Sequence, residues 1–423
     1  MARELVQVIS PASGDLESAD HSSHSAEPFP NFYIFVGAVA VVIVLMIVII
    51  LCWKLFKTEE VMKDLKQSKA QQASQELWSG NLRTVNYFDF QTLKKATRNF
   101  NSAYFLGRGG FGPVYRGKLP DGRLVAIKKL SLGKSLQGES EFVSEVRMIT
   151  SIQHKNLVQL LGCCVDGPQR LLVYEYMKNR SLDLIVNGKS NQCLDWNTRF
   201  QIILGIARGL QYLHEDSQLR IVHRDIKASN ILLDDKFQPR IGDFGLARFF
   251  PEDQAYLSTT FAGTLGYTAP EYAIRGELSE KADIYSFGVL VLEIISCRKN
   301  TDLNLPTEMQ YLPEYAWRLH ERSRVKEIVD PRLQHGNGTI ARDIMLVIHV
   351  AFLCLQPHAN LRPPMSQIVA MLTCKVSPVG SPLRPTFLER RRRLDENLSW
   401  DTISEAFPSI ITTMSNESPP TPS

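Results

Sequence analysis

A short polar run, His223-Arg224-Asp225-Ile226-Lys227-Ala228-Ser229-Asn230, followed closely by Asp243-Phe244-Gly245, constrains this chain more than any other feature. It supplies an aspartate that can accept a hydroxyl proton, a lysine that can reach a phosphoryl group, and two oxygen ligands for a divalent cation. This set is typical of phosphoryl transfer from a nucleotide to a hydroxyl. The candidate catalytic residues are Asp225 and Lys227, and the candidate ligands for Mg²⁺ (or Mn²⁺) are Asn230 and Asp243.

A glycine-rich segment upstream is a candidate cradle for the nucleotide phosphates. It reads Leu106-Gly107-Arg108-Gly109-Gly110-Phe111-Gly112-Pro113-Val114, and glycine lets the backbone approach phosphate because it has no Cβ. The pattern alone is weak, since dinucleotide-binding folds use it as well. The next segment, Leu124-Val125-Ala126-Ile127-Lys128, is typical of a strand, whereas a dinucleotide site would place the glycines at the start of a helix. Lys128 is therefore the predicted cation for the α- and β-phosphates.

Lys128 needs a carboxylate partner that holds it in place. Residues 139–152 carry apolar side chains at helical spacing, which predicts an amphipathic helix. Glu145 lies on the inward edge of that helix, one turn before Ile149, so we assign it to the ion pair with Lys128. Glu141 is the alternative partner, although a solvated helix face is the plainer interpretation of that residue.

Together these segments resemble a eukaryotic protein kinase domain. Residues 88–100, 154–164 and 263–267 are similar to plant receptor-like kinases, the group related to Pelle and the interleukin-receptor-associated kinases. Within that group the chain is most similar to the cysteine-rich and cold-responsive receptor-like kinases. The resemblance covers about residues 77 to 375. It implies an α+β, bilobal fold that binds ATP, with an antiparallel β-sheet N-lobe and a mainly helical C-lobe.

The resemblance also implies which residues contact ATP. Backbone atoms near Glu175 and Met177 would bind the adenine ring, and Tyr174 would be the gatekeeper behind it. A core strand is the plainer interpretation of residues 171–177 taken alone, and it is compatible with both roles. Four apolar residues would sandwich the adenine ring: Leu106, Val114, Ala126 and Leu232.

Lys227 and Thr264 indicate serine or threonine as the acceptor. Kinases of this class place a lysine two residues after the catalytic aspartate, and Thr264 lies in the segment expected to cradle the substrate. The resemblance therefore implies a Ser/Thr protein kinase, although plant members can be dual-specific. The competing hypothesis is a membrane-tethered pseudokinase scaffold or co-receptor. Pseudokinases usually lack the phosphate-binding lysine, the catalytic aspartate or the magnesium-binding aspartate. This chain has all three, as Lys128, Asp225 and Asp243.

Arg224 and the hydroxyl residues that follow it predict regulation by phosphorylation. A buried arginine is costly without an anionic partner, and residues 243–271 contain Ser258, Thr259 and Thr260. A phosphate on one of them is expected to pair with Arg224 and to order the segment. Three solvated hydroxyls are the alternative. The resemblance assigns structural roles to three further residues, an ion pair and an anchor for the catalytic loop: Glu271 with Arg362, and Asp283.

An uncharged and almost wholly apolar stretch, residues 32–53, predicts one transmembrane helix. Its length suffices to cross the ~30 Å hydrocarbon layer of a bilayer. Acidic residues precede the stretch, and five lysines follow it between Lys54 and Lys69. The positive-inside rule therefore places the N-terminus outside and the kinase domain in the cytosol, and we expect the membrane to be the plasma membrane.

The remaining segments are expected to flank a single folded domain. The net charge of +4 gives nucleic-acid binding no support, whereas the juxtamembrane lysines are expected to touch anionic lipid. None of the 7 cysteines lies in residues 1–31, so neither a disulfide framework nor direct ligand sensing is expected there. The expected partners are protein substrates and a co-receptor or other receptor kinase. The predicted organisation is 1–31 short disordered extracellular segment, 32–53 transmembrane helix, 54–99 cytosolic juxtamembrane region, 100–375 kinase domain and 376–423 disordered tail.

Overall fold

The structure, a computed structural model, consists of two units, residues 1–68 and 69–423. The residues that it describes are 43, 45–51, 53–54, 57, 85–109, 112–130, 137–167, 169–187, 193–251, 254–260, 262–333, 338–374 and 380–385, without the side chains of residues 137–141.

In the first unit, the described residues between 43 and 57 are helical and exposed. Lys57 Nζ lies 4.9 Å from the centre of the Trp53 ring. Much of the predicted span, residues 32–53, lies outside the described residues, as do residues 1–31. Among the positions that are described, no helix combines the length and the apolar character needed to cross a membrane.

A five-stranded antiparallel sheet forms the first lobe of the second unit, in the order β1-β2-β3-β5-β4. Its strands are β1 (Phe105–Gly109), β2 (Gly112–Lys118), β3 (Leu124–Lys129), β4 (Leu160–Asp166) and β5 (Gln169–Glu175). Side chains alternate between the two faces of a strand. Val125 and Ile127 of β3 are accordingly fully buried, whereas Ala126 between them is only half-buried.

Two helices pack on this sheet. The first, α1 (Phe90–Ala96), begins after Asp89, whose carboxylate accepts a hydrogen bond from Thr92 N and caps the helix. It buries Leu93 completely in an apolar cluster with Val125 and Ile127. The second helix, α2 (Gln137–Thr150), carries Glu145 and confirms the helix predicted over residues 139–152, although it ends two residues earlier.

The second lobe is mainly helical. Its helices are α3 (Asp183–Val186), α4 (Trp196–Gln211), α5 (Pro270–Arg275), α6 (Glu280–Ser296), α7 (Leu312–Glu321), α8 (Gly338–Cys354) and α9 (Met365–Cys374). Every residue of α6 from Ala282 to Ser296 is buried, as its apolar sequence dictates, so α6 forms the centre of the lobe. A sheet lobe followed by a helical lobe confirms the predicted α+β, bilobal fold.

Three short strand pairs lie in the second lobe and carry the loops of the candidate site. They are β6 (Ile221–Val222) with β9 (Arg248–Phe249), β7 (Ile231–Leu233) with β8 (Pro239–Ile241), and β10 (Leu257–Ser258) with β11 (Glu277–Leu278). Residues 223–230, the catalytic loop, connect β6 to β7. Asp243 follows β8 and begins the activation segment, residues 243–271.

The described part of the C-terminal region, residues 380–385, runs along the helical lobe. Leu383 N donates to Gln356 Oε1 over 3.2 Å, and Arg384 lies 3.7 Å from Glu321. Pro385, the last described residue, is buried.

A buried ion pair joins the end of the activation segment to the loop before α9. Arg362, which is 1% exposed, donates to the two carboxylate oxygens of Glu271 over 2.6 and 2.8 Å. The same guanidinium donates to the carbonyl oxygens of Gln356 and Lys281, each over 2.9 Å. All of its nitrogens therefore have an acceptor, which offsets the cost of burying the charge.

Replacing Arg362 by leucine should lower the free energy of unfolding by about 3–5 kcal/mol, because Glu271 is left as an unpaired buried charge. Urea denaturation of both proteins measures the change. The matched control is Arg324→Leu, which breaks an exposed pair with Glu327 and should change stability little. Similar small losses in the two variants would contradict the role assigned to Arg362.

Candidate active site

Lys128 lies at the centre of a cluster of charges between the sheet and α2. Its Nζ is 3.0 Å from both carboxylate oxygens of Glu145 and 2.9 Å from Oδ1 of Asp243. Burial alone would lower the pKa of Lys128, but the carboxylates of Glu145 and Asp243 outweigh burial and hold this pKa above its ordinary value. Lys128 is therefore a permanent cation. The side chain of Glu141, the alternative partner, lies outside the described residues.

Tyr174 closes the other side of Glu145. Its hydroxyl donates to Glu145 Oε1 over 2.6 Å, and the residue is only 9% exposed. Burial, reinforced by the Glu145 carboxylate, raises the pKa of Tyr174 well above its usual value, so the hydroxyl keeps its proton. The residue expected behind the adenine ring is thus tied to the ion pair expected to grip the phosphates.

The residues expected around the adenine ring lie on both lobes. Leu106, Val114, Ala126 and Leu232 are all half-buried, which leaves part of each side chain accessible. Met177 is buried, and its carbonyl oxygen accepts from Arg180 N over 3.2 Å.

Glu175 contacts the chain before β4 and a strand of the second lobe, and its backbone N donates to Gln159 O over 3.2 Å. Its Oε1 accepts from Gln159 N over 2.8 Å and from Arg240 Nη1 over 3.0 Å. Arg240 lies on β8, immediately before the activation segment. This ion pair therefore ties the end of β5 to the strand that leads into Asp243.

One position of the glycine-rich segment, Gly112, requires glycine, and another, Gly109, locates the segment relative to Asp243. Gly112 has a φ of +148°, and a Cβ at this residue would lie 2.0 Å from the carbonyl oxygen of Lys129. A Cβ on Gly109 would lie 3.6 Å from Asp243 Oδ2, which places this end of β1 over the aspartate. Gly107 and Arg108 belong to β1, and two predicted loop residues lie outside the described residues: Gly110 and Phe111.

Asp225 and Lys227 converge on a hydroxyl. Thr264 Oγ1 donates to Asp225 Oδ1 over 2.8 Å and accepts from Lys227 Nζ over 2.9 Å. Lys227 Nζ also lies 2.8 Å from Asp225 Oδ2. Asp225 is 8% exposed, whereas Lys227 and Thr264 are half-buried, so the carboxylate is the most shielded member of this cluster.

Asn230 and Asp243 present oxygen atoms of the type that Mg²⁺ prefers. Asn230 Nδ2 donates to the carbonyl oxygen and to Oδ2 of Asp225, over 2.8 and 3.0 Å, which turns the amide oxygen away from Asp225. Within the described residues, no three His, Cys, Asp or Glu side chains are gathered around a metal position. The two residues fit a cation whose remaining ligands are phosphate and water oxygens.

The backbone is strained at both ends of this cluster. Arg224 and Asp243 have φ values of 73° and 64°, in a region that residues other than glycine rarely adopt. His223 stabilises the arrangement from below, since its Nε2 donates to Gly242 O over 3.1 Å and its ring packs edge-on against Phe244. Asp225 N donates to His223 Nδ1 over 3.3 Å, so both ring nitrogens are used within the loop.

The guanidinium of Arg224 has neutral partners. Its Nε and Nη2 donate to Tyr272 Oη over 2.9 and 2.5 Å, and its Nη2 and Nη1 donate to the carbonyl oxygens of Thr260 and Leu246 over 3.0 and 3.3 Å. The three hydroxyl residues of the predicted regulatory cluster are Thr260 itself and the two residues before it, Ser258 and Thr259. Ser258 ends β10, and Thr259 N donates to Gly276 O over 3.0 Å.

The segment that follows Thr264 rests on a buried carboxylate of α6. Tyr267 Oη donates to Glu293 Oε2 over 2.6 Å, and Asn300 N donates to Glu293 Oε1 over 2.6 Å. Ala228 N, in the catalytic loop, donates to Tyr267 Oη over 3.5 Å. Glu293 therefore supports the substrate side of the site from below.

Several of these contacts were not predicted from the sequence. The partners Tyr272 of Arg224, Glu293 of Tyr267 and Arg240 of Glu175 were missed. Each contact joins residues that are far apart in the chain, and no short spacing links them. The one available signal was the tyrosine directly after Glu271, because a buried tyrosine usually needs a hydrogen-bond partner.

Comparison with known proteins places this geometry in a family. The family described as protein tyrosine and serine/threonine kinase matches residues 101–372, and the chain belongs to it.

Relatives come from Arabidopsis thaliana. Cold-responsive protein kinase 1 is 49% identical, over 68% of this chain and 74% of that protein. Cysteine-rich receptor-like protein kinase 2 is 47% identical, over 72% of this chain and 48% of that protein. A probable LRR receptor-like serine/threonine-protein kinase is 49% identical over 78% of this chain, which spans only 32% of that relative. These relatives confirm the resemblance to receptor-like kinases.

Glu293 should make stability depend on pH. Burial raises the pKa of Glu293 from 4.5 to about 7, so the folded chain holds a proton that the unfolded chain releases. The stabilisation is complete at acidic pH and is lost as the pH rises through about 7. Glu293→Gln should therefore flatten the fall in unfolding free energy between about pH 5 and about pH 7.5, by ~2.5 kcal/mol.

Urea denaturation across this pH range measures the effect, as a difference between variant and wild type. Glu308→Gln is the control, because Glu308 is exposed on a short surface turn. If both variants follow the wild-type curve, Glu293 does not titrate in this range.

Proposed function

We propose that this chain is a serine/threonine protein kinase that transfers the γ-phosphate of ATP to hydroxyls of proteins. The observation that carries the proposal is the Thr264 hydroxyl, which lies 2.8 Å from Asp225 Oδ1 and 2.9 Å from Lys227 Nζ. A substrate hydroxyl in the same place would have a base for its proton and a cation for the phosphoryl group. Family membership and the receptor-like serine/threonine kinases among the relatives support the same activity.

In this mechanism Asp225 orients the acceptor hydroxyl and takes its proton as the new O–P bond forms and the bond to the leaving ADP breaks. Lys227 stabilises the charge on the γ-phosphoryl group. Lys128, held by Glu145, binds the α- and β-phosphates. When bound, the divalent cation neutralises phosphate charge, and Asn230 and Asp243 would hold it.

The activity is proposed to be regulated on the activation segment. A phosphate on Ser258, Thr259 or Thr260 would strengthen the order of the segment by pairing with Arg224. The support is the short path between them, since the carbonyl oxygen of Thr260 is already 3.0 Å from Arg224 Nη2.

The proposal further includes a membrane anchor at residues 32–53, with the kinase domain in the cytosol. The uncharged apolar stretch and the lysines after it support this arrangement, as do the receptor-like relatives. A receptor or co-receptor is the proposed source of the signal, and anionic lipid the proposed contact of the lysines.

Asp225→Asn should slow autophosphorylation by about 10²–10⁴-fold, because the base for the hydroxyl proton is lost. Incorporation of labelled phosphate from magnesium-ATP measures the change. Asp235→Asn is the matched control, since Asp235 is exposed on the turn after β7. Equal incorporation in wild type and Asp225→Asn would overturn the catalytic assignment.

Phosphoamino-acid analysis of the autophosphorylated protein should find phosphoserine and phosphothreonine, with at most about a tenth as much phosphotyrosine. This ratio corresponds to an activation barrier for tyrosine that is higher by ~1.4 kcal/mol or more. The reason is that Asp225 and Lys227 hold a short aliphatic hydroxyl, that of Thr264, whereas a phenol would extend well past it. Paired peptides that differ only in serine or tyrosine as the acceptor provide the control. Comparable rates for the pair would contradict the predicted selectivity.

A further inference from the structure

Every side-chain nitrogen of Arg224 has an acceptor, and none of these acceptors is an anion. Arg224 is 7% exposed, and within the described part of the chain no carboxylate lies in ion-pair range of it. Three of its four hydrogen bonds involve Nε and Nη2, which reach Tyr272 Oη and the carbonyl oxygen of Thr260. A buried cation without an anion is normally costly, so these oxygens take the place of one.

The Tyr272 hydroxyl is the point where three segments meet. Tyr272 lies on α5 and is 2% exposed, and its hydroxyl accepts hydrogen bonds from Arg224 of the catalytic loop. The same oxygen accepts from Ala262 N over 3.0 Å and lies 3.4 Å from the carbonyl oxygen of Thr260. The tyrosine ring also lies beneath the guanidinium, with its centre 5.6 Å from Arg224 Cζ.

The backbone of the activation segment packs directly against the backbone of Arg224 at Gly263. Gly263 has a φ of +125°, and a Cβ there would lie 2.6 Å from the carbonyl oxygen of Arg224. Thr264, the next residue, contacts Asp225 and Lys227. A displacement of Arg224 would therefore shift Gly263, and with it Thr264 and the contacts that Thr264 makes to the catalytic residues.

We propose that Tyr272 is a positioning residue that holds Arg224 and the activation segment in order without phosphate. The chain then has activity before phosphorylation, and a phosphate on the segment reinforces an arrangement that already exists. This inference rests on the proposed kinase function. Tyr272 acts through Arg224 and touches neither nucleotide nor acceptor, so its effect depends on whether another acceptor for Arg224 is present.

The test combines Tyr272→Phe with a segment that cannot be phosphorylated, in the full chain. Ser258→Ala, Thr259→Ala and Thr260→Ala together remove the candidate hydroxyls, while the Thr260 carbonyl that accepts from Arg224 remains. The kcat for a serine peptide is measured for wild type, for each change and for the combination. Wild type and Tyr272→Phe are assayed after autophosphorylation, which mass spectrometry verifies.

We expect the triple alanine variant to keep at least about a tenth of the wild-type kcat, and phosphorylated Tyr272→Phe to stay within about threefold of wild type. The combination should lose about 100-fold or more, because Arg224 then has neither the hydroxyl nor a phosphate. Tyr285→Phe is the matched control. It removes another buried tyrosine hydroxyl, 3.5 Å from Tyr311 Oη, and should behave alike in both backgrounds.

Equal losses for Tyr272→Phe with and without the phosphorylatable residues would show a merely structural role and overturn the proposal. A triple alanine variant as inactive as the combination would overturn it as well. Thermal melting of each variant identifies loss by unfolding, and Tyr272→Trp, which also removes the hydroxyl, repeats the comparison if the phenylalanine variant is unstable. If phosphorylated wild type were no faster than Asp225→Asn, the kinase function itself would fail, which is a different outcome.

Discussion

The fully buried carboxylate of Asp283 is the contact on which the catalytic loop depends. It accepts from His223 N and Arg224 N, over 2.7 and 2.8 Å, and from His214 Nε2 over 3.0 Å. Burial alone would raise the pKa of Asp283, but the hydrogen bond from His214 and the neighbouring histidines outweigh burial and hold this pKa below its usual value. An ionised carboxylate in the centre of an apolar lobe is stable only with such donors. The strained backbone at Arg224 persists because this carboxylate holds the amide N–H groups of both His223 and Arg224.

The same helix supports the acceptor side of the site. Asp283 and Glu293 lie ten positions apart on α6. Asp283 binds the start of the catalytic loop, and Glu293 binds Tyr267 of the activation segment. Through Tyr267, Glu293 reaches both the segment after Thr264 and the amide of Ala228. The catalytic loop is therefore held at both ends from one rigid helix. The two carboxylates differ in that Glu293 has a raised pKa, about 7, whereas that of Asp283 is lowered.

Local spacing allowed much of the site to be predicted, and long-range packing limited the rest. The motif of residues 223–230 predicted the cluster around Asp225, because chemistry fixes the residue types over a few positions. Helical periodicity was enough to choose Glu145, since only one edge of α2 faces the sheet. The partner of Arg224 could not be found this way, because Tyr272 lies 48 residues further along the chain. An anion was predicted for reasons of charge and remains a prediction, whereas the contacts that the structure shows are a hydroxyl and two carbonyl oxygens.

The hydrogen bond of 2.6 Å from Tyr174 to Glu145 has a consequence for small-molecule recognition. It closes the space behind the expected adenine position with a polar gate rather than an apolar side chain. An inhibitor that extends into this space must break the bond and leave the buried Glu145 Oε1 with the Lys128 ammonium but without the tyrosine donor, unless the inhibitor carries a donor of its own. Compounds with a hydrogen-bond donor at that end should therefore be preferred over equally sized apolar ones.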